Sequence, residues 1–190
     1  MKITAVPGGG KTTWIVREVN RLLEVGKPKI LCLTFSRSMA AELRRKITST
    51  SVKVATFHSL FMDFVMFSRG ELYVMDEHEY RNYVNQIISY LGVKMTLKKF
   101  EELTRVYFDS GRMPYFKGYK DVFTVLERKM KQEKVVPFDF IEYYGKKVLE
   151  ENPELGFYDY VFVDECQDTS FLQFEALRLL TGQKYIIGDP

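Results

Sequence analysis

Apolar positions run through this chain in two rhythms, and the change from one to the other divides it. In the first third, short and nearly continuous apolar runs alternate with amphipathic stretches. Residues 2–6, 29–35 (KILCLTF) and 52–57 (VKVATF) predict buried strands. Residues 12–25 carry Trp14, Val16, Val19, Leu22 and Leu23 at helical spacing and end at Gly26, and residues 38–47 predict a second helix. Strands separated by helices imply a parallel, doubly wound sheet.

From about residue 67 to residue 155 the period is helical. Residues 76–91, 96–108, 119–132 and 137–151 predict four helices, broken by Gly92, by 111–118 and by 135–137. No strand is expected there, and its tyrosines and phenylalanines read as core. The strand rhythm returns at 159–164, followed by a helix at 171–180 and a strand at 184–187. The expected fold is therefore α/β, with a core of residues 1–66 and 156–190 and a helical insertion at 67–155.

Composition adds little beyond compatibility with a soluble globular domain: 46% of the 190 residues are hydrophobic and 28% charged. No run approaches the roughly 18 apolar residues of a membrane span, and the first residues lead straight into a glycine loop rather than a signal peptide. Cys32 and Cys166 fall in or beside strands, which predicts two reduced core thiols in a cytoplasmic protein. Charge is more telling. Residues 1–60 hold 11 Lys/Arg against 3 Asp/Glu, residues 61–155 hold 15 against 16, and residues 156–190 hold 2 against 6. A basic first third suits a phosphate backbone.

Two motifs carry chemistry. AVPGGGKT, residues 5–12, fits the phosphate-binding loop between a strand and a helix. Its Pro7, Gly8, Gly9 and Gly10 let backbone N–H groups curl around phosphate oxygens. Lys11 would reach the β- and γ-phosphates, the Thr12 hydroxyl would help hold Mg²⁺, and Thr13 continues the helix start. The second motif, DECQDT at 164–169, follows the apolar run 160–163. A strand ending in Asp-Glu presents Asp164 to Mg²⁺ and Glu165 to the attacking water. Asp168 or Thr169 would cap the next helix. ATP and Mg²⁺ are the implied cofactors.

With these motifs in place, the chain resembles the superfamily 1A helicases of the UvrD/Rep type. The family's motif order is matched by AVPGGGKT, by Thr34-Phe35-Ser36-Arg37-Ser38-Met39-Ala40, by Thr56-Phe57-His58-Ser59, by DECQDT and by a truncated Gly188-Asp189. The resemblance implies contacts to single-stranded DNA from Thr34, Phe35, Ser36, Arg37, Thr56, Phe57 and His58. Arg44 and Arg45 would add backbone charge. It also implies that Gln167 and Asp168 couple the nucleotide site to DNA and to a partner domain. The family's adenine-reading glutamine motif, the residues after Gly-Asp and the second motor domain are not in these 190 residues. The sequence thus predicts the N-terminal motor domain of a longer 3′→5′ helicase, incomplete and weakly active by itself. A self-contained nucleotide-dependent DNA-binding module and a small P-loop kinase remain as alternatives.

Overall fold

The structure, a computed structural model, describes residues 2–4 and 10–188. Five parallel strands form the main sheet: β1 (Lys2–Thr4), β2 (Ile30–Thr34), β3 (Val52–Thr56), β6 (Tyr160–Val163) and β7 (Gln183–Gly188), in the order β1-β7-β6-β2-β3. Parallel strands need crossovers, and helices supply them. These are α1 (Lys11–Val25), α2 (Arg37–Lys46), α3 (Phe57–Arg69) and α8 (Phe171–Leu179), with α4 (Glu77–Leu91), α5 (Leu97–Ser110), α6 (Tyr119–Glu133) and α7 (Ile141–Glu151) between α3 and β6. The expected parallel sheet flanked by helices is what forms. Among the described residues, no helix is long and apolar enough to cross a membrane.

The two faces of the sheet follow the period of two along each strand. Ile30, Cys32, Val54, Phe162, Tyr185 and Ile187 face α1 and α2, where Ile15, Val19, Ala40 and Leu43 meet them. Leu31, Leu33, Ala55, Val161 and Val163 face the other way, into one apolar cluster with Phe61, Phe100, Phe123 and Leu126. That cluster makes the central helices and the sheet share a core. The helix α3 also runs across the division expected at residue 66.

Several local expectations are corrected. Residues 52–57 are not one strand: β3 ends at Thr56, and Phe57 begins α3, a helix whose exposed side mixes apolar with polar residues. A small parallel sheet of β4 (Tyr73–Met75) and β5 (Val135–Pro137) lies where no strand was expected. Phe138–Phe140 is a 3₁₀ turn, so α7 starts at Ile141 rather than at Pro137. Ser170, not Asp168 or Thr169, caps α8 through the Gln173 amide. Cys166 sits half-buried in a 3₁₀ turn beyond β6, whereas Cys32 is buried and its thiol is pushed up to about 12 by burial, then by Asp164.

The helices α3 and α7 pack without a gap because Gly145 has no side chain. A Cβ there would stand 2.5 Å from Phe61 Cβ and 2.7 Å from its Cα. Neither atom can swing aside, so Gly145→Ala is expected to cost about 1–3 kcal/mol, the usual size of core overpacking. Thermal unfolding checks this beside Gly26→Ala, where a Cβ meets nothing within 4 Å. Equal melting temperatures for the two variants would refute the close approach.

Candidate functional site

The carboxyl ends of parallel strands share one edge of the sheet, and loops there collect the polar residues that the strands cannot bury. At this edge Gly10, at φ 77, precedes α1, and its carbonyl accepts the Trp14 N–H at 2.8 Å. Pro7, Gly8 and Gly9 lie outside the described residues. Lys11 opens the helix, one residue before the start expected at Thr12, and Thr12 and Thr13 follow in its first turn.

Asp164 continues β6. Its N–H bonds the Leu33 carbonyl at 2.9 Å, and its side chain is only 2% exposed. The next residue leaves the strand abruptly, with Glu165 in the left-handed region at φ 53. Such a conformation costs a non-glycine residue on the order of 1–3 kcal/mol and is concentrated at functional sites. The bend brings the Glu165 carboxylate to Lys11, with Nζ 2.9 Å from Oε2, and the Gln167 amide donates to the same oxygen at 2.6 Å. Lys11, Glu165 and Gln167 are thus brought together, with Asp164 Oδ1 accepting the Glu165 N–H at 3.1 Å.

The strand β7 lies between β1 and β6, so the glycine loop and DECQDT are not on adjacent strands. Gly188 closes against Gln167: a Cβ on Gly188 would be 2.7 Å from Gln167 Oε1.

The residues of the two middle motifs separate into exposed and buried sets. Thr34 is fully buried and its hydroxyl donates to the Ser36 carbonyl; Ser36 caps α2 through the Met39 N–H. Thr56 and Ser59 form the capping box of α3. Phe57 is 4% exposed and packs on Phe61, and it also lines the cleft of Phe35 and His58. Arg44 is also redirected, since both its Nε and Nη2 donate to the Val54 carbonyl and tie α2 to β3.

Phe35 is 55% exposed, and Arg37 is exposed beside it. They share a cleft of about 280 Å³ with Thr56, Phe57 and His58 and with Phe138, Glu142 and Gln173. The His58 ring stacks on Phe138 at 4.0 Å between centroids and 23° between planes, and Phe138 is itself 51% exposed. Burial holds the imidazole below its ordinary pKa, aided by Arg37 and opposed by Asp139. Burial and Arg37 thus favour the uncharged ring. Gln173 Nε2 donates to Glu142 Oε1 at 2.8 Å and joins α8 to α7 beneath the cleft; burial raises the Glu142 carboxyl against that bond. Phe138 and Glu142 escaped the sequence reading, because only the tertiary fold brings them to Phe35.

A sequence model of the UvrD/REP helicase N-terminal domain matches residues 1–190. The chain is 23% identical to a probable DNA helicase II homolog of Mycoplasma capricolum, covering 100% of this chain and 32% of that protein. It is 22% identical to the ATP-dependent DNA helicase Rep of Buchnera aphidicola, covering 98% and 33%. A shorter match, 37% identical to the exonuclease/helicase subunit RexA of Lactococcus lactis, covers 35% of this chain and 6% of that protein. The chain spans about a third of the length of the first two relatives.

Proposed function

The chain belongs to the UvrD/Rep helicase family, as its N-terminal domain, and from that premise we propose that it is the ATP-binding motor half of an ATP-dependent DNA helicase. The observation that carries this reading is the grouping of Lys11, Asp164, Glu165 and Gln167 at one sheet edge. Lys11 at the head of α1 binds the β- and γ-phosphates, with the positive end of the helix behind it. Glu165 orients and deprotonates the attacking water, and Gln167 fixes that carboxylate. The donors near the phosphates are hard oxygens, the Thr12 hydroxyl and the buried Asp164 carboxylate, which suit Mg²⁺ held jointly with phosphates. Bound there, Mg²⁺ would neutralise charge on the β- and γ-phosphates.

Single-stranded DNA lies across the cleft of Phe35, His58 and Phe138. The rings stack on unpaired bases and Arg37 meets the backbone, which suits binding without sequence preference. The polarity is 3′→5′ by family resemblance, and the protein works on DNA in the cytoplasm. Residues 67–155 form a helical insertion, and Phe138 and Glu142 near its end complete the strand path. Translocation requires a second motor domain, in keeping with relatives about three times as long.

Fluorescence anisotropy of labelled oligo(dT) tests the strand path. Phe35→Ala and Phe138→Ala should each weaken binding by about five- to hundredfold, the usual effect of removing one aromatic ring from beneath a base. Retention of full affinity by both variants would refute the path. Turnover that requires a small metabolite and ignores DNA would replace the helicase reading with a kinase.

A further inference from the structure

Residues 92–134 hold 11 Lys/Arg against 6 Asp/Glu, a net +5, within a chain whose total is +3. Two contacts fix how α4 and α6 lie. Lys129 lies over the Tyr83 ring at 5.0 Å, and a Cβ on Gly118 would collide with Val93. The contacts step forward along α4 and backward along α6, so the two helices run antiparallel. The C-terminal end of α4 therefore meets the N-terminal end of α6 and the loop that precedes it.

Between these helices lies a groove of about 400 Å³ whose lining includes Tyr90, Arg128 and Lys129 and no carboxylate. Of the neighbouring acids, Glu127 is turned aside to Lys147 and the Tyr144 hydroxyl, and Glu133 meets Lys129 only at 4.0 Å. Tyr90 is 85% exposed at the mouth. The adjoining loop between α5 and α6 is braced rather than slack. Gly111 and Gly118 close its two ends in the left-handed region, and the Ser110 hydroxyl accepts the Arg112 N–H at 3.1 Å. Within it the Phe116 N–H bonds the Pro114 carbonyl, and the Phe116 ring lies 6.0 Å from Lys99 Nζ. This frame holds Tyr115 fully in solvent, between the exposed Arg112 and Lys117.

We propose that the α4–α6 groove and the α5–α6 loop form a second binding surface for single-stranded nucleic acid, separate from the sheet-edge cleft. A net positive stretch whose groove lining holds cations and no carboxylate matches a phosphodiester backbone. Solvent-facing tyrosines, Tyr90 at the groove mouth and Tyr115 on the adjoining loop, suit unpaired bases, which a duplex would not offer. Arg112, Lys117, Arg128 and Lys129 take the backbone, and Tyr90 and Tyr115 take the bases. The chain would then hold a strand at two places, gaining affinity for long strands over short ones.

The test uses labelled oligo(dT) of about 8 and about 30 nucleotides, the shorter within the span of a single site. The triple charge reversal Arg112→Glu, Lys117→Glu, Arg128→Glu should lower affinity for the long oligomer about tenfold or more and leave the short one unchanged. Its salt slope should flatten by about 2, at roughly 0.7 for each single-strand phosphate no longer neutralised. Tyr90→Ala with Tyr115→Ala leaves charge intact and should also weaken the long oligomer alone; it decides the matter if the reversal does not fold. Unchanged long-oligomer affinity in both variants overturns the proposal. So does a loss confined to duplex DNA, or displacement by an acidic peptide with no oligomer effect. Phe35→Ala reports on the sheet-edge cleft through the short oligomer, so the two surfaces fail independently.

Discussion

Glu165→Gln is expected to slow ATP hydrolysis by about 10²- to 10⁴-fold, the usual contribution of a general base, while strengthening Mg·ATP binding. The two effects have one origin. The Lys11 ammonium rests on Glu165 Oε2 at 2.9 Å, with the two side chains 8% and 21% exposed. Incoming phosphate must draw the lysine from a carboxylate in a poorly solvated site, where such pairs are strong. Glutamine keeps the shape and removes the charge, so Lys11 is released at lower cost. Phosphate release by the chain measures the first effect. Equilibrium binding of a fluorescent ATP analogue measures the second. Undiminished turnover would strip Glu165 of its role as base, and weaker nucleotide binding would refute the competition for Lys11.

Lys11→Ala should act in the opposite direction on binding. A charge-assisted bond to phosphate is worth about 1.5–3 kcal/mol, so Mg·ATP affinity should fall by about ten- to hundredfold. The same substitution leaves Glu165 facing a neutral side chain. The pair Lys11→Ala and Glu165→Gln should consequently be non-additive in a double-mutant cycle, with the double variant binding ATP no more tightly than Lys11→Ala alone. Additive behaviour would mean that the ion pair does not govern access to the lysine.

Much of this arrangement was legible in the chain, and the illegible parts share a cause. The runs KILCLTF and YVFV are apolar on both faces because both faces of a parallel sheet are covered, which made β2 and β6 plain. Asp-Glu after YVFV needed only the end of a strand to acquire meaning. By contrast, β4 and β5 are three residues each, too short to set a period, and they pair only because the chain returns across α4, α5 and α6. The helix α3 hid for a different reason. Phe57, Leu60, Phe61, Phe64 and Val65 are buried, while the exposed side mixes Asp63 and Ser68 with Met66 and Phe67, so no clean polar face marks the segment.

The motif residues divide along the same line. Phe35 stands one residue beyond a strand end, where the backbone turns outward, and it is open to solvent. Phe57 follows a strand end too, but it starts a helix that dives into the core. Sequence placed both aromatics in equivalent settings, and only the direction of the next element separates them. Phe138 was invisible for the converse reason: it lies far from any motif and gains its position from the 3₁₀ turn that follows β5.

Gln167 holds Glu165 at 2.6 Å on one side and rests against the end of β7 on the other. Any side chain at position 188 would therefore press on the amide that holds the Glu165 carboxylate, so the end of β7 and the seat of that carboxylate must be built together.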